Sequence, residues 1–185
     1  LDICKPNIII NCAAYTSVDS AEDDFEIANT INHKAISLIA KWCNDNNCNL
    51  IHISTDYVYN GNSKTPYIEE DLTDPLNNYG KTKLLGDIAC QKNNPSSIIL
   101  RTSWLYSSYG NNFVTNMINA VQHRNEIQVV NDQFGSPTYA GDLASMILFL
   151  IKNKKWHSGI YNYTNKGYIS WYDFANEIKS IYGFS

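Results

Sequence analysis

Basic charge is scarce in this sequence: its 14 basic residues include only two arginines, Arg101 and Arg124, and 18 acidic residues leave a formal charge of -4. Such a chain has no basic face with which to grip a polyanion, which argues against a nucleic-acid partner. The five cysteines, Cys4, Cys12, Cys43, Cys48 and Cys90, are odd in number and show no Cys-x-x-Cys spacing. Neither a disulfide framework nor a zinc knuckle is signalled, and reduced thiols are expected. His33, His52, His123 and His157 are scattered without a ligand spacing, so no metal site built from protein side chains is expected. No apolar run is long enough to span a bilayer and no basic-then-apolar leader opens the chain, so no membrane partner and a cytoplasmic location are expected.

What is present is ordinary globular composition, 44% hydrophobic and 17% charged over 185 residues, enough for one domain or slightly more. "NIIINCAAY" is a continuous β-branched run of the kind found in strands covered on both faces. A long amphipathic helix follows. Asp19 and Glu22 look like a capping arrangement at its start, and Ile27, Ile31, Ala35, Leu38 and Ile39 repeat at helical spacing. "CNLIHISTDYVY" reads as a second buried strand, residues 60 to 78 as a Pro-punctuated loop, Tyr79 to Cys90 as a helix, and "SSIILRTSWLY" as a third strand. The order β-α-β-α-β predicts an α/β fold with a parallel sheet wound by crossover helices. Beyond Tyr109 the expected elements are a helix in "NNFVTNMINAVQHR", a short strand in "EIQVVND", a helix in "TYAGDLASMILFLIKNKK", a strand in "SGIYNYT" and a last helix capped by Ser170.

Ligands of open parallel sheets bind beyond the carboxyl ends of the strands. Three such ends are visible, at "CAAYT", "STDY" and "SWLY". Ala13 and Ala14 would let a flat ligand approach the backbone, or simply allow a tight turn. Thr55 ends the second strand, and Tyr79 opens the following helix with Lys83 one turn on. A free phenol titrates near pH 10, and a cation on the same helical face would lower that value and ready it to transfer a proton. Thirteen tyrosines and twelve lysines in 185 residues make about one Tyr-x-x-x-Lys match by chance, so the setting rather than the pair carries the signal.

That setting resembles a known family. "NCAAYTSVDSAE", "IHISTDYVYNG", "DPLNNYGKTKLLGD", "RTSWLY", "NNFV", "VVNDQFGSPTYAGDLA" and "GIYNYTN" follow one another as do the motifs of dTDP-4-dehydrorhamnose reductases, a branch of the extended short-chain dehydrogenase/reductases. The resemblance implies a Rossmann-like parallel sheet over residues 1–109 and, interleaved with it, a smaller and mainly substrate-binding region over 110–185. It implies reduction of the 4-keto group of dTDP-4-dehydro-β-L-rhamnose by NADPH or NADH, giving dTDP-L-rhamnose for cell-surface polysaccharide. Tyr79 would be the proton donor, Lys83 would lower its pKa and hold the nicotinamide ribose, and Thr55 would position the reacting centre. Asp56 and Trp104 would contact the sugar, with Thr55 beside them, while Ala14, Tyr15, Thr16 and Ile53 would line the cofactor cleft. A homodimer and a dependence on Mg2+ stay open within the resemblance.

One departure is large: no Gly-x-x-Gly-x-x-Gly turn for a pyrophosphate occurs anywhere in the sequence. The match starts at what would be the fourth strand of the family, and the chain begins without Met. The expectation is an N-terminally truncated protein whose first strands are missing, so cofactor binding and activity are expected of the full-length protein rather than of this piece. The choice between NADPH and NADH is unreadable for the same reason. Two rivals share the motifs. A nucleotide-sugar epimerase or dehydratase would use the same tyrosine and lysine, although "STDYVY" and "NDQFGSPTYA" favour a reductase. A non-catalytic relative, like the regulatory subunit of methionine adenosyltransferase, would not need Thr55, Tyr79 and Lys83 together.

Overall fold

The computed structural model describes residues 1–124 and 126–183. The β-branched runs form parallel strands β1 (Ile8–Asn11), β2 (Asn49–Thr55) and β3 (Ile98–Thr102), joined at β3 by β7 (Gly159–Asn162) in the order β1-β2-β3-β7. The fold is α/β, as its sequence pattern predicts. In register, Asn11 faces His52 and Thr55 faces Thr102, which places the carboxyl ends of the strands along one edge of the sheet. Every residue of β3 is buried, which is why its sequence shows no alternation.

The crossover from β1 to β2 is α1 (Phe25–Asn29), a π-helical stretch (Thr30–Ala35) and α2 (Ile36–Asp45). The π turns pair i with i+5 and so insert an extra residue per turn. The buried stripe lies about one position away from the one read from the sequence: Ala28, Asn32, Ile36, Ala40 and Cys43 are buried, whereas Ile27 and Leu38 are exposed. Asp19 makes no side-chain cap, contrary to its sequence reading. The crossover from β2 to β3 is α3 (Asn78–Asn93), and Ile36, Ala40, Cys43, Cys48, Leu50, Cys90 and Ile99 form the core between these helices and the sheet.

The chain divides into two compact units, Leu1–Thr102 with Trp156–Asn162, and Ser103–Lys155 with Tyr163–Ser185. The first holds the four-stranded sheet. In the second, α4 (Phe113–His123), α5 (Ala140–Lys152) and α6 (Trp171–Tyr182) accompany two short pairings. These are β4 (Leu105–Tyr106) with β6 (Thr138–Tyr139), and β5 (Phe134–Gly135) with β8 (Ile169–Ser170). Ser170 caps α6 in a capping box with Asp173, as its position before the helix suggests. Met117, Phe174, Ala175 and Ile178 form this unit's core with Trp104, Phe113 and Trp171 packed on it.

Two sequence expectations fail here. The third strand stops at Thr102 because Trp104 adopts a left-handed φ of 47°, and Leu105–Tyr106 pair in a different sheet. The alternating stretch Glu126–Asp132 is not a strand. Its Ile127 and Val129 do turn inward, but the carbonyl of Val130 accepts from Tyr172 N at the start of α6 rather than from a ladder partner.

Candidate active site

The first turn of α3 is pinned from three sides. Asn77 Oδ1 accepts from Gly80 N at 2.7 Å, and Glu22 Oε1 accepts from Asn78 N at 2.7 Å, so two of the helix's free N–H groups are satisfied. Position 80 must lack a side chain: a Cβ there would lie 2.2 Å from the carbonyl oxygen of Tyr57. The helix therefore packs directly on the backbone that follows β2, and this contact sets Tyr79 beside Thr55. The Tyr57 ring meets the Tyr79 ring edge-on, with centroids 5.5 Å apart.

Burial pushes the Tyr79 phenol up to about 12; the Thr55 hydroxyl, by hydrogen bonding, pulls it down, while Asp56, Tyr57 and Asp87 add to the rise. This reverses the sequence expectation that Lys83 lowers it. Lys83 is almost wholly buried, its Nζ donates to the carbonyl of Ile53 at 2.7 Å, and it is not among the groups that move the Tyr79 value. Burial also brings the Lys83 ammonium down to about 8, against the opposing pull of Asp87 and Cys12. Asp56 is raised to about 6 by burial, although its carboxylate accepts from Thr55 Oγ1 at 3.3 Å. At neutral pH the group thus presents a neutral phenol, an ammonium and a carboxylate within two short segments of chain.

The strand-end segment at Ala14 to Thr16 is tied to the same helix through a residue that no sequence pattern singles out. Asn32, in the π stretch, accepts from Tyr15 N at 2.8 Å and donates to Tyr15 O at 3.1 Å and to Thr82 Oγ1 at 3.1 Å. Thr82 in turn donates to the carbonyl of Tyr79 at 2.9 Å. One buried amide thus couples the β1 edge to the helix of Tyr79 and Lys83. Gly86 allows this approach, since a Cβ there would lie 2.2 Å from the Asn32 carbonyl oxygen. Ala14 and Tyr15 are half-buried and Thr16 exposed. Ile53 contributes its carbonyl to Lys83.

Thr55, Asp56, Tyr79, Lys83 and Ile53 are therefore brought together, with Ala14 to Thr16 linked through Asn32. Trp104 belongs to the second unit. There its ring stacks on Trp171 with centroids 3.5 Å apart and leaves no room for a side chain at Gly135, whose Cβ would fall 2.3 Å from the indole. Among the described residues no group of three His, Cys, Asp or Glu side chains is placed to hold a metal ion, and no helix is long and apolar enough to cross a membrane. Besides Asn32, the sequence reading passed over Asp87 and Arg101, whose buried pairing at 3.1 Å lies one turn beyond Lys83. The spacing 79, 83, 87 along a helix was the available signal.

Residues 1–183 match the family model described as the RmlD substrate binding domain. The chain is 43% identical over 179 residues to a dTDP-4-dehydrorhamnose reductase of Aggregatibacter actinomycetemcomitans, covering 95% of this chain and 61% of that protein. Among solved structures, a dTDP-4-dehydrorhamnose reductase of Clostridium acetobutylicum superposes with a TM-score of 0.94 at 43% identity, covering 99% of this chain and 64% of the other. The Bacillus anthracis dTDP-4-dehydrorhamnose reductase in complex with NADP gives 0.94 at 41% identity, covering 100% and 65%. The chain thus spans less than two thirds of the length of these relatives.

Proposed function

Because this chain belongs to the RmlD substrate binding domain family, we propose that its protein reduces the 4-keto group of dTDP-4-dehydro-β-L-rhamnose to dTDP-L-rhamnose, with NADPH or NADH as the reductant. The observation that carries this reading is the Thr55–Tyr79–Lys83 group at the carboxyl edge of a parallel sheet. The residues present fit the nicotinamide-ribose end of such a cofactor. Lys83 gives one of its three ammonium hydrogens to Ile53 and keeps two for ribose hydroxyls, while Ala14 adds little bulk at the strand end. A Gly-rich turn for the pyrophosphate is not among these 185 residues. When bound, the nicotinamide supplies the hydride.

Tyr79 donates its phenolic proton to the sugar oxygen as negative charge builds there. An alkoxide is a stronger base than a phenolate even with the phenol at about 12, so the transfer runs downhill. Being raised, the phenol is also fully protonated at neutral pH, the form a donor needs. Thr55 orients the phenol and Asp56 accepts from sugar hydroxyls; for Trp104, whose ring is stacked on Trp171, the sugar contact rests on the family resemblance alone. Ala14, Tyr15, Thr16 and Ile53 border the cofactor. Residues 1–109 serve as part of the dinucleotide-binding domain and 110–185 mainly as the substrate-binding region.

The test is oxidation of NADPH, followed by its nicotinamide absorbance, when the full-length protein meets the 4-keto sugar nucleotide. Tyr79→Phe should lower kcat by about 100-fold or more while the fold survives. A wild-type protein that leaves the absorbance unchanged under conditions where a known reductase consumes it would reject the assignment.

A further inference from the structure

Behind the Tyr79–Lys83 pair lies a buried charge cluster that the proposed chemistry does not use. Tyr79, Lys83 and Asp87 fall at i, i+4 and i+8 on α3, along one face of the helix. Asp87 is 1% exposed, and its Oδ2 accepts from Arg101 Nε of β3 at 3.1 Å. Arg101 is itself held by Tyr59, whose hydroxyl accepts from Nη1 at 2.9 Å and whose ring lies 5.3 Å from the guanidinium carbon. A lone pair to one arginine would be a structural ion pair and nothing more. Three features of the cluster go beyond that.

First, Arg101 engages only one carboxylate oxygen, Oδ2, and leaves Oδ1 to weaker neighbours such as Ser54, so the charge is not fully quenched by Arg101. Second, the ring that Oδ1 faces is a neutral imidazole. Asn11 Nδ2 donates to His52 Nδ1 at 3.0 Å, which puts the ring proton on Nε2, 3.9 Å from Asp87 Oδ1. Burial and the Lys83 charge both hold His52 well below its ordinary value, so it brings no competing cation. Third, Lys83 has lost nearly all its water and has one carbonyl, that of Ile53, in exchange.

An ammonium so placed loses its proton readily unless a negative charge stands nearby. We propose that Asp87 is a positioning residue for Lys83: clamped by Arg101 one turn further along α3, its carboxylate keeps Lys83 an ammonium ion directed at the Ile53 carbonyl. The groups facing this pair can be enumerated by element. On α3 they are Tyr79 and Cys90, on β2 His52 and Ser54, on β3 Arg101, and beyond the end of β1 Cys12. Asp87, paired with Arg101, is the one carboxylate in this set, and burial raises the thiols of both Cys12 and Cys90. Asp87 is raised by its own burial, and Ser54, Arg101 and Lys83 all oppose that rise.

The consequence for catalysis rests on the reductase reading, but the charge state of Lys83 does not, and it can be measured separately. In the full-length protein with isotope-labelled lysine and aspartate side chains, nuclear magnetic resonance follows Lys83 and Asp87 from pH 5 to 10, with Lys83 assigned by loss of its signal in Lys83→Met. The wild type should show an ionised Asp87 at pH 7 and a Lys83 midpoint near 8. Asp87→Asn should lower that midpoint by about one unit or more, and Asp87→Glu should restore most of it. The alkaline limit of kcat/KM should move by the same amount. A folded Asp87→Asn protein with an unmoved Lys83 midpoint overturns the proposal. So does a wild-type Asp87 still protonated at pH 7, a result that stands even where the Asn variant fails to fold. A shifted midpoint in a protein without reductase activity would keep this inference and sink the reductase reading.

Discussion

At the scale of single residues, the site is governed by the removal of water from groups that prefer to be charged. Asp56 shows this with a sign that can be worked through. Its folded value of about 6 lies above the ordinary 3.8, so the folded state binds a proton that the unfolded state has released between those values. The stability it contributes is complete below about pH 4 and lost as pH rises through 6. Asp56→Asn should therefore be more stable than the parent at pH 7.5, by about 1–3 kcal/mol in urea denaturation, with the gap closing at pH 4. Equal gaps at both pH values would mean that the carboxyl is not desolvated. Thr55, Asp56, Tyr79 and Lys83 could be picked out from the sequence because strand ends and helix spacing are local patterns. The direction of the Tyr79 shift could not, because it depends on how deeply a helix sinks against the chain after β2. Asn32 was hidden for a similar reason: its three hydrogen bonds reach 17 and 50 positions away.

At the scale of elements, α3 is the piece that everything else is fitted around. Its sequence has little amphipathic character because Gly80, Thr82, Lys83, Gly86, Asp87, Ala89 and Cys90 are all buried. Two glycines let it make backbone contacts at both ends of its functional stretch. In a free helix, Gly to Ala gains about 1 kcal/mol. Here each new methyl would strike a carbonyl oxygen that cannot rotate away, so Gly80→Ala and Gly86→Ala should instead lose about 1–3 kcal/mol by urea titration. Gly80→Ala should also separate Tyr79 from Thr55 and depress activity more than its stability loss predicts. Either variant proving more stable than the parent would refute the close packing. The strands were legible as apolar runs, and α3 as the segment between two of them. The π stretch was not, since no composition marks it, and Glu126–Asp132 misled because alternation records which side chains turn inward without saying what the backbone pairs with.

At the scale of the whole molecule, the outer edge of β3 is covered by a strand from far along the chain. Asn162, at the end of β7, donates to Tyr67 O at 3.1 Å and, through its main chain, to Glu69 Oε1 at 2.7 Å, and it accepts from the Tyr59 hydroxyl at 3.3 Å. It holds the loop between β2 and α3 against the sheet across 95 positions of sequence. Asn162→Ala should cost about 1–3 kcal/mol and speed hydrogen exchange in that loop; unchanged exchange there would show that the clamp carries no weight. "SGIYNYT" could be recognised as a strand, but not as the neighbour of β3, because pairing order is a property of the wound sheet. On a ribosome this order has a temporal meaning. β3 leaves the exit tunnel with its outer edge bare, and Trp156–Asn162 follow only after some 50 further residues, a wait of several seconds at ordinary elongation rates. During that interval the nascent protein displays an unpaired strand edge with Ile98, Ile99 and Leu100 still uncovered, the kind of surface on which chaperones act.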